Sequence, residues 1–190
     1  MPQTSAGGAS NITSAGIVDN EIVNADINSA AAIDPAKISG EPYETLADVT
    51  LGVAGGQISS GTIPARTFIR LLIYVPSTAT SQLLYLRFNG DTGTNYTRSF
   101  ATNFAAATAQ TTQSTILVDA IADTAARFAT VDLINIATAN KYVLGRCLRG
   151  ATQDFVAGIW LNASDQITSI TLNSNDNMAI GSRMRVLGMN

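Results

Sequence analysis

Hydrophobic positions along this chain follow two patterns. In the first forty residues isoleucine recurs at Ile12, Ile17, Ile22, Ile27, Ile33 and Ile38, in steps of 5, 5, 5, 6 and 5. Five helical residues turn through about 500°, so successive isoleucines would walk around a helix, and an odd step in a strand flips each one to the opposite face. Neither element offers a lone chain one face to bury. Turn-forming residues fill the steps, among them Gly16, Asp19, Asn20, Asn24, Asp26, Asn28, Asp34 and Pro35, and they predict short extended pieces kinked once per step. Such a segment needs other chains, or a host surface, to cover its isoleucines, so assembly comes ahead of chemistry as the expected function. A disordered tail of small polar residues is the alternative; the regular spacing argues against it.

The second pattern consists of runs rich in β-branched and aromatic residues: Phe68–Val75, Leu83–Phe88, Thr115–Ile121, Phe128–Ile136, Tyr142–Leu148, Phe155–Leu161, Ile167–Leu172 and Arg183–Leu187. Turn signals divide them, at Pro76 to Ser81, Asn89 to Gly93, Ala139-Asn140, Gly150, Asn162 to Asp165 and Asn173 to Asn177. Eight short strands at this pitch predict an all-β fold, a jelly-roll-like β-sandwich of two sheets. The alternation in Ile167–Leu172 is imperfect and predicts a bulge or burial on both faces. Ala101 to Gln113 is ambiguous, its alanines favouring helix and its threonines a long loop. Residues 1–45 are therefore read as an extended N-terminal arm for anchoring and trimerisation, and 65–190 as the sandwich. Between them, 46–64 form a Gly-rich connection (Gly52, Gly55, Gly56, Gly61) that continues the fivefold step at Ile58, Ile63 and Phe68 and carries one or two short strands.

Composition narrows the function. Charged residues make up 13% of the 190, about half the roughly 25% of an ordinary soluble domain, while Ser, Thr, Asn and Ala fill the surface. That texture suits a β wall or a contact surface. The formal charge of −3 argues against nucleic acid as a partner, because phosphate binding needs a dense basic face. The N-terminus lacks a charged segment followed by an apolar one, and no stretch approaches the roughly 18 apolar residues of a membrane span. Synthesis in a cytoplasm, with no membrane partner, is expected. The single cysteine, Cys147, excludes an intrachain disulfide and reads as a small buried residue in a strand.

The absence of histidine excludes Ser-His-Asp and Cys-His constellations and most zinc sites. Gly52 to Gly61 holds neither a Walker lysine pattern nor a GxGxxG at a helix start, so it reads as turns. Paired carboxylates among Asp119, Asp123, Asp132, Asp154 and Asp165 are the remaining route to catalysis, as in glycoside cleavage; strand ends and turns favour Asp for local backbone bonding instead. Asp91-Thr92-Gly93-Thr94-Asn95 offers alternating oxygen ligands for calcium without the acid density of an EF-hand, and reads first as a hairpin turn. Three Asn-x-Ser/Thr sequons, at Asn11, Asn95 and Asn162, are expected to stay unmodified. Arg183 and Arg185 share one face of the last strand and either meet acids of a neighbouring subunit or stand as solvated edge charges. Phe100 with Phe104, or Tyr96 with Trp160, form either a sugar-stacking platform or core. No enzyme activity, cofactor or metal is expected.

The arm from Ile17-Val18-Asp19-Asn20-Glu21-Ile22 to Ile33-Asp34-Pro35-Ala36-Lys37-Ile38 resembles the Ile- and Ala-rich N-terminal segments of tailed-bacteriophage fibre and head-decoration proteins. Leu86-Arg87-Phe88-Asn89-Gly90-Asp91-Thr92-Gly93-Thr94-Asn95-Tyr96 and the closing Gly181-Ser182-Arg183-Met184-Arg185-Val186-Leu187-Gly188 are similar to the β-sandwich of phage virion structural proteins. The resemblance implies a homotrimeric virion protein whose arms wind together or lie along the shell, with sandwich heads projecting outward. About 125 residues follow the arm and its Gly-rich connection, which favours a capsid decoration, or cement, protein of the head. On the decoration reading, the partner is the major capsid protein and the location the outer capsid surface. The alternative is a tail-fibre or baseplate adsorption protein that binds a host receptor. A subunit that binds assembled but not unassembled capsomers stabilises each site by RT ln(1 + [L]/Kd).

Overall fold

The computed structural model describes residues 43–190, all of its regular structure being β. Twelve strands follow one another: β1 (Glu44–Thr50), β2 (Gly55–Ser59), β3 (Phe68–Val75), β4 (Leu84–Phe88), β5 (Tyr96–Thr102), β6 (Thr108–Gln113), β7 (Ile116–Leu117), β8 (Arg127–Ile134), β9 (Lys141–Arg149), β10 (Thr152–Trp160), β11 (Ile170–Met178) and β12 (Arg183–Met189). They form two antiparallel sheets. The larger has eight strands in the order β1-β12-β3-β8-β9-β10-β5-β6, and the smaller has four in the order β2-β11-β4-β7.

Alternation decides which side chains lie between the sheets. In β3, Ile69, Leu71, Ile73 and Val75 are buried and Phe68, Arg70, Leu72 and Tyr74 point the other way. The smaller sheet answers with Leu84, Leu86 and Phe88 from β4 and Ile170 and Leu172 from β11. Phe88, Tyr96 and Trp160 cluster at 5.8–6.3 Å between ring centroids and belong to this same core. Gly158 of β10 admits the close approach of the smaller sheet: a Cβ there would run into Ile116 of β7.

The expected two-sheet sandwich is present, with several differences. Ten strands, not eight, follow residue 65, because β5 and β6 are added. β6 (Thr-Ala-Gln-Thr-Thr-Gln) is an edge strand that pairs only with β5 and buries no side chain fully, so it needs no apolar alternation. The run Thr115–Ile121 shrinks to Ile116–Leu117, since the Leu84 N–H donates to the Asp119 carboxylate (2.9 Å) instead of continuing a ladder. The connecting residues carry β1 and β2, which pair with β12 and β11 at an edge of each sheet. Asn89 and Gly90 both have positive φ, 51° and 69°, but their turn does not close a hairpin. It carries the chain from β4 in one sheet to β5 in the other. The irregularity expected at Ile167–Leu172 falls later, between Asn173 and Met178.

A candidate assembly surface

The inner face of a sandwich sheet must be apolar; its outer face is ordinarily polar. In the larger sheet the outer face of the central strands also carries large apolar side chains. Register places Phe68, Ile134 and Tyr142 side by side across β3, β8 and β9, and Tyr74, Phe128 and Leu148 in a parallel row at the far end of the same strands. Between them run Arg70, Asp132, Leu144, Ala157 and Ser99, and then Leu72, Thr130, Arg146, Phe155 and Ala101. Leu144 is 66% exposed, Tyr142 52%, Phe128 50% and Tyr74 48%. With about 150–250 Å² per aromatic side chain, the large apolar residues of this face present roughly 700 Å² to solvent. This area is divided by the Arg70–Asp132 pair, Thr130 and Arg146; a standard interface, apolar and polar together, buries about 800 Å² on each partner.

The face is not flat. A hollow of about 710 Å³ runs across the strands from Arg70, Asp132 and Arg146, past Leu144 and Phe155, to the small side chains Ala157, Ser99 and Ala101 of β10 and β5. A second recess of about 260 Å³ lies beside Tyr142, lined also by Tyr43, Phe68 and Ile134. Among the described residues, one charge pair on the face is neutralised and Arg146 is stacked without an acid partner. Arg70 donates two hydrogen bonds to Asp132 (2.6 and 3.0 Å) and lies over the Tyr43 ring, and Arg146 lies over Phe155 at 5.5 Å.

Three of the five candidate carboxylates converge elsewhere, at one end of the sandwich. Arg149 ends β9 facing inward; its Nε and Nη2 donate to Asp154 (2.9 and 3.3 Å) and its Nη1 to Asp123 (2.9 Å). Asp154 also accepts from Thr102 Oγ1 (2.6 Å) and the Ala120 N–H (3.2 Å). Burial pushes its pKa up, yet these bonds outweigh burial and hold it below the usual carboxylate value. Arg127, one strand away, approaches Asp119 Oδ2 at 2.8 Å through Nε, an ion contact too poorly aligned to count as a full hydrogen bond. Burial dominates at Asp119 and pushes its carboxyl up to about 7. A shifted carboxyl is a recognised sign of a functional site. Asp119 and Arg127 are fully buried, however, so no substrate reaches them in this fold, and the cluster serves to tie β8, β9 and β10 to the 118–126 loop.

The other candidate residues separate. Asp132 joins Arg70 on the outer face, and Asp165 accepts from Asn162 in a turn. Asp91 accepts from the Gly93 N–H, Asn95 Nδ2 and Trp160 Nε1 (2.7 Å for the last), so its oxygens order a loop and anchor the core tryptophan. Among the described residues, no group of three or more His, Cys, Asp or Glu is placed to hold a metal ion. Tyr96 and Trp160 are buried core, and Phe104 is exposed against Phe155 at 4.9 Å between centroids. Arg183 and Arg185 find their acid within the chain: Arg183 Nε donates to Asp48 Oδ1 (2.6 Å), and Arg185 Nε lies 3.8 Å from the same carboxylate. Cys147 is buried, which pushes its thiol up to about 12. The ladder residues Ile12, Ile17, Ile22, Ile27, Ile33 and Ile38 lie outside the described residues.

The apolar outer face was missed in the sequence, although a signal existed. Leu71-Leu72-Ile73-Tyr74-Val75 and Tyr142-Val143-Leu144 are continuous apolar runs, the mark of strands covered on both faces. No protein family, curated protein or solved structure matches the chain.

Proposed function

We propose that this chain is a non-enzymatic structural subunit of a tailed-phage virion, a homotrimeric decoration protein that binds the outside of the assembled shell through its N-terminal arm. The observation that carries this reading is the outer face of the eight-stranded sheet, which exposes large apolar side chains over roughly an interface's area around an intramolecular ion pair. A large exposed apolar face is what a subunit of an assembly presents. The isoleucine ladder supports the same reading from the other side, since its spacing has no burial solution within one chain. The resemblance of residues 17–38, 86–96 and 181–188 to phage virion segments supports a virion protein, and the short stretch after the arm favours the head over a tail fibre. In this function the sandwich presents a head, and the arm spreads isoleucines over capsid subunits, trading ordering entropy for reach.

Native mass measurement of the full chain is expected to give three copies, and immunogold labelling of virions carrying the protein to mark the head in many copies. A monomer throughout the micromolar range would overturn the trimer. Label confined to the tail tip would overturn decoration in favour of receptor adsorption.

A further inference from the structure

We infer that the outer face of the eight-stranded sheet docks on a second copy of this chain, the Leu144 ridge of one copy entering the hollow floored by Ser99, Ala101 and Ala157 of the next. The inference rests on the assembly reading above and names the surface that joins the copies. Three observations select a second copy over another occupant. The exposed apolar area, with the polar groups that divide it, is of the size of one partner's share of a standard interface. Arg70 is neutralised by Asp132 and Arg146 lies over Phe155, leaving a single cation on a mostly apolar face, too little charge to hold a strongly anionic ligand. Finally, the ridge and the small-residue end of the hollow sit on the same face: Leu144 of β9, Ala157 of β10 and Ser99 of β5 form one cross-strand row. Relief falls along that row from a branched chain standing 66% exposed to the small side chains that floor one end of the hollow of about 710 Å³. Every copy carries both halves of the fit, which is what a closed cyclic assembly requires.

Two variants of the full chain test this. Leu144→Asp places a carboxylate where the ridge is buried and is expected to weaken self-association by about 30-fold or more, the factor corresponding to a hot spot of ~2 kcal/mol. Its circular dichroism should match the parent, while its thermal transition falls only by the stabilisation lost with the partner copy. Val53→Asp, at a position 73% exposed on the β1–β2 connection, should leave association unchanged. The second variant, Leu144→Cys with Ser99→Cys, has its two sites on strands separated by β10, about 10 Å apart. That span is too long for a disulfide, which needs Cα atoms within about 7 Å. Oxidation should therefore yield chains linked to one another, never an intrachain bridge. An oligomer that survives Leu144→Asp unchanged and forms no interchain disulfide would overturn this interface while leaving the assembly reading intact. A wild-type chain that stays monomeric would overturn both. Dimers that crosslink would support the interface and overturn the trimer.

Discussion

Gly158 lies where the two sheets come closest, and its missing side chain is a packing requirement. A Cβ would meet Ile116 and come within 3.0 Å of the Thr97 carbonyl oxygen, a backbone atom that cannot swing away. Gly158→Ala is expected to destabilise the sandwich by about 1–3 kcal/mol, the usual cost of overpacking, measurable as a lower urea midpoint with unchanged slope. Asp119 makes a second residue-scale prediction. Its carboxyl ionises near 7 in the folded chain because burial disfavours the charge, and near 3.9 when unfolded. The folded state therefore holds the proton more tightly. Stability from this group is fully present below about pH 4, declines as pH rises toward 7, and is level above it. Asp154, Asp123, Asp91 and Asp48 have lowered values, so their contributions run the opposite way and are lost only as pH falls below the ordinary carboxylate range. The chain has no histidine to confuse the window. Unfolding free energy should fall from pH 4 to 7 in the parent, and Asp119→Asn should flatten that slope.

At the scale of elements, β1 closes the edge of the larger sheet. It pairs with β12 from Glu44 to Thr50, Leu46 packs toward the space above Gly188, and Asp48 accepts from Arg183 across the strands. Removing residues 1–42 leaves every one of these contacts, so the urea midpoint should barely move. Removing 1–50 strips β1, exposes the long β12 edge and uncovers apolar surface. At about 1.5–3 kcal/mol for a fully buried aliphatic side chain, loss of the half-buried Leu46 and Val49 should cost ~3 kcal/mol and bring concentration-dependent aggregation through the open edge. Equal stability of the two truncations would show that β1 is not part of the cooperative unit. The edge strand at the other side, β6, illustrates what escaped the sequence. Its Thr and Gln residues carry no period-2 signal because a strand paired on one side need bury nothing. β5 hid for a related reason: Arg98, between Tyr96 and Phe100, occupies an inward register and is tolerated there by hydrogen bonds to Gln110 (2.7 Å) and Thr115 (2.9 Å).

For the whole molecule, the expectation concerns the arm and the head as separate functions. If the isoleucines of the ladder are covered in the assembly, each Ile→Ala there costs about 2–5 kcal/mol per fully packed site, felt at every copy. Replacing Ile22 and Ile27 together with Asp should abolish attachment to particles without changing the thermal transition of the sandwich. Occupancy on particles measures this directly; wild-type occupancy of the double variant would show that the arm is a passive tail and return anchoring to the sandwich.

Strand identity in the sandwich was legible wherever the cause is local. The bounds of β3 are those read from its run of β-branched and aromatic residues, and β8, β9, β10 and β12 differ by a few residues at their ends, because alternation and turn chemistry act within a few positions of each side chain. The all-β class and the two-layer arrangement follow from the same short-range rules. Tertiary structure alone decided the eight-to-four division of strands, the passage of the Asn89-Gly90 turn from sheet to sheet, and the meeting of Asp48 with Arg183 across 135 positions. It also decided that Asp119, Asp123 and Asp154 would gather round Arg127 and Arg149, and that large apolar side chains of the outer face would stand exposed among the described residues. The reason is physical: pairing register and charge neutralisation depend on which strands become neighbours, and that choice is made by packing between residues far apart in the chain, where no local pattern records it.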